Sequence, residues 1–255
     1  GGEYCLKNYL NSPGNFTASK LKWVMDHEPE LYGQIYKAML PGDYVAMKLT
    51  GEINTTVPGL SEGILWDYQN KTLAKKLLEY YGINPDLWPN LVDTFGVQGK
   101  LTETAASELN LKAGTPITYR AGDQPNNAFS LNVLNPGEVA ATAGTSGVVY
   151  GIIDSPKYDP LSRVNTFVHV NNSTSRERYG VLLCVNGTGI LNSWLKKNMV
   201  PGMSYEEMNE IAMEAPIGAD GLSFIPFGNG AERIMENNDI GARLSGLNFN
   251  RHNPK

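Results

Sequence analysis

The sequence contains few of the residues that build disulfide frameworks and transition-metal sites. It has two cysteines, Cys5 and Cys184, and three histidines in 255 residues. The cysteines lie far apart and match no metal-binding spacing, so we expect both to be reduced thiols. The histidines, His27, His169 and His252, stand in no ligand or catalytic-triad spacing, and we expect surface or hydrogen-bonded structural roles for them. A metal centre built from these residues is therefore not expected.

The sequence also lacks a long apolar run and an excess of positive charge. No apolar run reaches the roughly twenty residues that a membrane-spanning helix needs, and the first ten residues lack the pattern of a signal peptide. The formal net charge is −5, and no basic stripe is visible, which argues against nucleic acid or an anionic membrane as a partner. We therefore expect a cytoplasmic protein, in which any bound anion is held by local groups.

Three glycine-containing stretches approach known motifs and fail them. In "GVQGKLT", Leu101 follows Lys100 and the glycine spacing is wrong for a P-loop. In "GTGILN", Asn192 stands where a dinucleotide fingerprint needs its third glycine. In "GTSGV", Val148 stands where a nucleophile elbow needs a glycine. None of these three motifs is therefore present in its known form.

The first 120 residues show mainly helical patterns. Two helices are predicted in "TASKLKWVMDHEPELYGQIYKAML", with a break at Pro29 and an end before Pro41. A short helix then follows until Gly51, and another ends at Gly82. One further helix is predicted in "LTETAASELNL", and a strand that finishes at Asp123 in "AGTPITYRAGD".

From residue 138 the patterns become strand-like. Strands are predicted in "GEVAATA", "GVVYGII", "RYGVLLCVNG" and "GLSFIPF", and helices in "GILNSWLKKNM" and "SYEEMNEIAMEA". The turn Asn135-Pro136-Gly137 separates the two styles. Hydrophobic residues make up 41% of the chain and charged residues 18%, as in ordinary globular proteins. We therefore predict two α/β lobes that meet near residues 124–137.

A single carboxylate stands out in "YRAGDQPNNAF", residues 119–129. Asp123 follows a strand-like run, and ligands of α/β sheets collect at the carboxyl ends of strands. Gly122 and Pro125 hold a tight path beside it, while Asn126 and Asn127 offer groups suited to hydroxyls. The alternative is a turn aspartate that only accepts backbone N–H bonds.

A second stretch, "ATAGTSGVVYG", places Gly144-Thr145-Ser146-Gly147 between two β-prone arms. This pattern predicts a hairpin whose tip exposes backbone amides and two hydroxyls, and such a concavity binds phosphate without a lysine. An ordinary hairpin turn is the alternative. Together, a phosphate-binding tip and a carboxylate suit phosphoryl transfer, in which a base orients the accepting hydroxyl and a Mg²⁺ ion shields the phosphates.

The chain resembles the FGGY family of carbohydrate kinases, in the sugar kinase, Hsp70 and actin superfamily, and most of all its xylulokinases. The resemblance is carried by "KLKWVMDHEPELY", "LPGDYVAMKLTGE", "SEGILWD", "GTPITYRAGDQPNNA", "ATAGTSGVVYG", "GILNSWL" and "FIPFGNGAERIMENNDIGARLSGL". It implies a two-lobed, ribonuclease H-like or actin-like ATPase fold of the α/β class. Residues 1–130 would be the later part of the sugar-binding domain, and residues 131–255 the earlier part of the nucleotide-binding domain.

The resemblance also assigns roles to individual residues. Asp123 corresponds to the catalytic base and a sugar contact, with Gln124 beside it where xylulokinases commonly have asparagine. The ATP phosphates would be contacted by the loop Gly144, Thr145, Ser146 and Gly147, with Gly189 and Ser193 near the nucleotide. No metal ligand is assigned, although Mg²⁺ is expected near Asp123.

The implied reaction is the ATP-dependent phosphorylation of a sugar hydroxyl, first of all D-xylulose to D-xylulose 5-phosphate. Gluconate, ribulose and glycerol kinases of the same family are alternatives, as is a non-catalytic sugar- or nucleotide-binding module. A homodimer is the assembly considered for such an enzyme. The family's Asp-x-Gly-Thr hairpin and late adenosine loop are not found, so we expect a fold incomplete at both ends and little activity from these 255 residues alone.

Overall fold

Helices and strands alternate along residues 2–253, the part of the chain that the computed structural model describes. The α-helices are α1 Gly2–Tyr9, α2 Thr17–His27, α3 Pro29–Tyr32, α4 Pro41–Thr50, α5 Val57–Glu62, α6 Lys75–Tyr81, α7 Glu103–Leu109, α8 Asp123–Ser130, α9 Gly189–Asn198 and α10 Tyr205–Met213. The strands are β1 Asn54–Thr55, β2 Trp66–Asp67, β3 Thr72–Leu73, β4 Asn90–Leu91, β5 Phe95–Lys100, β6 Pro116–Tyr119, β7 Val139–Ala143, β8 Gly147–Ile153, β9 Asn165–Val168, β10 Tyr179–Val185, β11 Ser223–Ile225 and β12 Arg243–Ser245. Short 3₁₀ helices occupy Pro85–Leu87, Ala219–Gly221 and Arg233–Met235.

The described residues form two compact units. The first unit contains residues 2–140 and 150–182, and the second contains residues 141–149 and 183–253. The boundaries between the two units therefore fall inside strands β7, β8 and β10. The domain boundary expected between residues 130 and 131 stays a prediction.

Four strands form a sheet in the order β7–β8–β10–β9. Strands β9 and β10 are antiparallel, with Tyr179 opposite Val168 and Leu182 opposite Asn165. Strands β1 and β4 pair in parallel, whereas β2–β3, β5–β6 and β11–β12 are antiparallel pairs. The strands predicted around β7, β8, β10 and β11 are present, and β9 is an addition to them.

The main hydrophobic core lies in the first unit and fixes the position of α5. It joins side chains of α1, α2, α5 and α6, including Tyr9, Leu21, Leu60 and Leu78, all less than 9% exposed. Each such side chain contributes about 1.5–3 kcal/mol by leaving water. The residue Ser61, also in α5, is buried and accepts a hydrogen bond from the Val168 amide of β9 at 3.0 Å.

Two helix ends follow the sequence prediction closely. Helix α4 ends at Gly51, which has φ of 77°, and α6 ends at Gly82, which has φ of 71°. Both glycines adopt the left-handed conformation, which costs a residue with a β-carbon more. Helix α10 begins with a capping box between Ser204 and Glu207.

The predicted helix between Pro29 and Pro41 is wrong for most of its length, because α3 ends at Tyr32. Gly33 follows at once, and glycine is a poor helix residue. The amide of Ala38 donates to the distant carbonyl of Leu87 at 2.8 Å, instead of to a carbonyl of its own turn. Tertiary pairing has therefore overridden the local apolar pattern.

The predicted strand that finishes at Asp123 is too long. Strand β6 ends at Tyr119, and Asp123 is the first residue of α8. The Asn126 amide donates to the Gly122 carbonyl at 3.1 Å, which closes the first helical turn. Pro125 is tolerated there because the first turn needs no amide donor.

Candidate functional site

Asp123 is exposed at the start of α8, after a three-residue connection from β6. Its Oδ1 accepts the Gln124 amide at 2.8 Å, and its Oδ2 accepts the Gln124 side-chain Nε2 at 3.4 Å. A carboxylate at the first residue of a helix is also favoured by the helix dipole. Gln124 therefore orients the carboxylate without removing it from solvent.

The connection before Asp123 is fixed by a buried arginine. Arg120 is 8% exposed and donates to the Gln98 side chain and the Asn54 carbonyl, both at 2.9 Å. It also pairs with the buried Asp43 carboxylate at 3.4 Å. Burial raises the pKa of Asp43, and the charge of Arg120 opposes that shift. The connection before Asp123 is thus anchored in the interior of the first unit.

Asp123 opens onto a cleft of about 330 Å³ within the first unit. This volume lies at the small end of the range of about 300–1,000 Å³ that is usual for ligand sites. The cleft is bordered by Asn15, Phe16, Thr17, Lys20, Leu40, Glu62, Asp123, Gln124, Asn165, Phe167 and Leu182. Its polar groups suit a small polyhydroxylated molecule.

Glu62 is a cleft residue that the sequence did not single out. Its carboxyl lies against Gly122, where a β-carbon would stand 1.7 Å from both carboxyl oxygens. Burial raises the pKa of Glu62 to about 8, and the nearby charges of Asp123 and Asp43 add to the shift. No sequence periodicity marks Glu62 as a cleft residue, because the fold brings Glu62 and Asp123 together from distant parts of the chain. The sequence feature that reflects the contact is Gly122, since a side chain there would overlap the Glu62 carboxyl.

The second unit brings the predicted nucleotide-side residues together. Gly144–Gly147 connect β7 to β8 as predicted, and the Gly144 amide donates to the Ser146 carbonyl at 3.0 Å. The carbonyl of Gly144 accepts the Gly189 amide at 2.9 Å, and that of Thr145 accepts the Ile190 amide at 3.3 Å. The loop therefore rests on the first turn of α9.

Two glycines permit this close contact. A β-carbon at Gly189 would stand 2.2 Å from the Gly144 carbonyl oxygen, and one at Gly147 would stand 2.5 Å from Cγ2 of Thr188. Ser193 is half-buried one turn further along α9, on the face of Gly189. Carbonyl groups of the loop therefore accept hydrogen bonds from the first two amides of α9.

The histidine and cysteine residues considered in the sequence can also be placed in the structure. His169 is buried, with Nε2 3.1 Å from the Val133 carbonyl oxygen and Nδ1 3.3 Å from the Tyr150 hydroxyl. Cys5 and Cys184 are free thiols. Among residues 2–253, no group of three or more His, Cys, Asp or Glu side chains could hold a metal ion. No helix in this part of the chain is long and apolar enough to cross a membrane.

Comparisons with known proteins define the class of the fold. The xylulose kinase of Rhodospirillum rubrum superposes with a TM-score of 0.82 at 26% identity, over 99% of this chain and 50% of the other. The glycerol kinase of Plasmodium falciparum with ADP superposes with a TM-score of 0.84 at 20% identity, over 98% and 50%. The predicted α/β fold of the sugar kinase, Hsp70 and actin superfamily is confirmed.

Sequence comparisons add the family that part of the chain is similar to. Residues 7–130 match the FGGY family of carbohydrate kinases, N-terminal domain. The xylulose kinase of Bacillus subtilis (strain 168) is 29% identical over 240 residues, which are 94% of this chain and 47% of that protein. The xylulose kinase of Escherichia coli (strain K12) is 28% identical over 231 residues, which are 90% of this chain and 46% of that protein. The chain spans about half the length of the curated relatives it matches.

Proposed function

We propose that the protein transfers a phosphoryl group from ATP to a hydroxyl of a sugar. The observation that carries the proposal is an exposed, oriented carboxylate, Asp123, on a cleft the size of a small polyol. The similarity to xylulose kinases over 90–94% of the chain supports it. Within this proposal, residues 1–130 serve sugar binding and residues 131–255 serve nucleotide binding.

Asp123 acts as the base in this proposal. As the sugar hydroxyl oxygen bonds to the terminal phosphorus of ATP, its proton passes to an oxygen of the Asp123 carboxylate. The bond between that phosphorus and the bridging oxygen breaks, and ADP leaves with the electron pair. The base needs no unusual basicity because the hydroxyl becomes more acidic as the new bond forms. Gln124 holds the carboxylate in place and contacts the sugar.

The loop Gly144–Gly147, together with Gly189 and Ser193, is proposed to hold the ATP phosphates. The loop tip is exposed at Gly144 and Thr145 and is braced by α9. A Mg²⁺ ion bound to the nucleotide phosphates would neutralise charge that no lysine in this loop can offset. Phosphate oxygens and water fit such an ion, and no side chain of this chain is assigned to it.

D-xylulose is the proposed sugar, with D-xylulose 5-phosphate as the product. The named relatives support this choice. Gluconate, ribulose and glycerol are the alternative acceptors, since a gluconate kinase of Lactobacillus acidophilus has the same fold, with a TM-score of 0.83 at 21% identity. A cytoplasmic location and a homodimeric assembly belong to the same proposal, with neither nucleic acid nor a membrane as a partner.

The proposal is tested by ADP release from the full-length protein with D-xylulose, ribulose, gluconate and glycerol. Replacing Asp123→Ala should lower kcat with the preferred sugar by about 100- to 10,000-fold, the usual contribution of a general base. ATP affinity should not change. Asp86→Asn, at an exposed aspartate of the same unit, is the control. A non-catalytic binding module would instead release no sugar-dependent ADP in the wild type, and the variant would alter sugar affinity alone.

A further inference from the structure

A second carboxyl group borders the cleft beside Asp123. Glu62 is the last residue of α5, a helix held in the core by Leu60 and tied to β9 through Ser61. Its carboxyl lies against Gly122, the residue directly before Asp123. Helix α5 and the residue before Asp123 therefore set the position of this carboxyl.

One oxygen of Glu62 has no hydrogen-bond partner within the described part of the chain. This atom, Oε1, is buried, while the residue as a whole is partly exposed to the cleft. A buried polar atom without a partner is unfavourable, because it has lost its hydrogen bonds to water without replacing them. Such a group is worth retaining where a ligand supplies the missing hydrogen bond, because the ligand then recovers that cost on binding.

The surroundings of Glu62 favour its neutral form. Its charged or titratable neighbours are Asp43, Asp123, Lys20, Tyr68, Tyr119 and Tyr150. The two aspartates oppose a further negative charge, and Arg120 is already paired with Asp43. Burial and these aspartates raise the pKa of Glu62 to about 8, which favours the protonated carboxyl, a hydrogen-bond donor, at neutral pH.

We propose that Glu62 is a substrate-binding residue, which donates a hydrogen bond from its carboxyl to a sugar hydroxyl next to the one that Asp123 deprotonates. This inference rests on the proposed sugar kinase function and adds a specificity determinant to it. The neutral Glu62 carboxyl is a hydrogen-bond donor, and the Asp123 carboxylate beside it is an acceptor. This pair matches two adjacent hydroxyls of a polyol, of which one accepts from Glu62 and the other donates to Asp123. A sugar that lacks the hydroxyl bound by Glu62 leaves a buried group unpaired, and the site rejects it for that reason.

The test uses sugar binding to the full-length protein without nucleotide, measured by titration calorimetry with D-xylulose and its monodeoxy analogues. Glu62→Ala should raise the Kd for D-xylulose about tenfold, while Glu62→Gln, which keeps a neutral donor of the same shape, should bind within about threefold of the wild type. Loss of one particular hydroxyl should weaken binding to the wild type and the Gln variant but not to the Ala variant. The control is Glu79→Gln, at an exposed residue of α6.

Variation of pH separates sugar contact from a role in packing. Above pH 8 the wild type should lose sugar affinity, because an ionised Glu62 can no longer donate. The Gln variant should show no such loss. If Glu62→Ala binds every analogue as the wild type does, the inference is wrong. If the wild type phosphorylates no sugar, the proposed function fails instead, so the two failures are distinguishable.

Discussion

At the scale of single residues, the ion pair between Arg120 and Asp43 is expected to be costly to break. Both side chains are less than 9% exposed, and Arg120 also holds Gln98 and the Asn54 carbonyl. Replacing Arg120→Met leaves a carboxylate in the interior without its counter-charge, so we expect a loss of about 3–5 kcal/mol in the free energy of unfolding. Urea denaturation of the purified chain measures this loss.

Two further variants show whether the missing charge is the cause. Arg176→Met, at an exposed arginine of the same unit, should change stability by less than about 0.5 kcal/mol. The pair Asp43→Leu and Arg120→Met should recover much of the loss, because no charge is then left unpaired. If Arg120→Met alone unfolded at the wild-type urea concentration, the anchoring of the segment before Asp123 would need another explanation.

At the scale of elements, His169 is the residue directly after β9. Its ring lies within hydrogen-bond distance of Tyr150 in β8 and of the Val133 carbonyl in the segment before β7. Burial lowers the pKa of His169 from 6.5 to about 4, although the hydrogen bond to the Val133 carbonyl acts in the opposite direction. The folded state thus favours the neutral ring. Its stabilising effect is complete above pH 6.5 and is lost as the pH falls from 6.5 towards 4, by up to about 3 kcal/mol.

The variant His169→Gln isolates this pH dependence. Glutamine keeps an N–H donor for the Val133 carbonyl but does not titrate. The difference in unfolding free energy between the wild type and the variant should therefore shrink between pH 7 and pH 4.5, as followed by urea denaturation. A constant difference over this interval would show that His169 is protonated as easily in the folded chain as in the unfolded one.

Elements whose ends carry local signals were predictable, and elements set by distant contacts were not. Gly51 and Gly82 end their helices through their own backbone conformation, without help from distant contacts, so α4 and α6 could be predicted from sequence. Helix α8 contains Pro125 and two asparagines, which are poor helix formers, and it was not predicted; its first residue, Asp123, was predicted as the end of a strand. The candidate site shows the same division: Asp123 and the loop at 144–147 were found in short motifs, whereas Glu62 reaches the cleft only through tertiary packing.

At the scale of the whole molecule, apolar burial is concentrated in one unit. Among the described residues, every apolar side chain less than 9% exposed belongs to the first unit. In the second unit, Met213 is 85% exposed and Phe249 is 90% exposed. Regions with few buried apolar contacts open at a lower free energy than a packed core.

We therefore expect the second unit of the 255-residue chain to exchange amide hydrogens faster than the first. Hydrogen exchange followed by mass spectrometry should show α9 and α10 exchanging before α5 and α6, by at least tenfold in rate, which corresponds to about 1.4 kcal/mol in opening free energy. Equal protection of the two pairs of helices would mean that the second unit is stabilised by something other than apolar burial.

Asp123 is proposed to remove a proton from a sugar hydroxyl during phosphoryl transfer. Its most direct test is a single-turnover reaction of the full-length protein with ATP, Mg²⁺ and D-xylulose, in which the sugar phosphate is measured by mass spectrometry. The wild type should form one equivalent of pentulose phosphate, and Asp123→Ala should form it at least about a hundredfold more slowly while binding both substrates. If Asp123→Ala formed the sugar phosphate at the wild-type rate, Asp123 would not be the base.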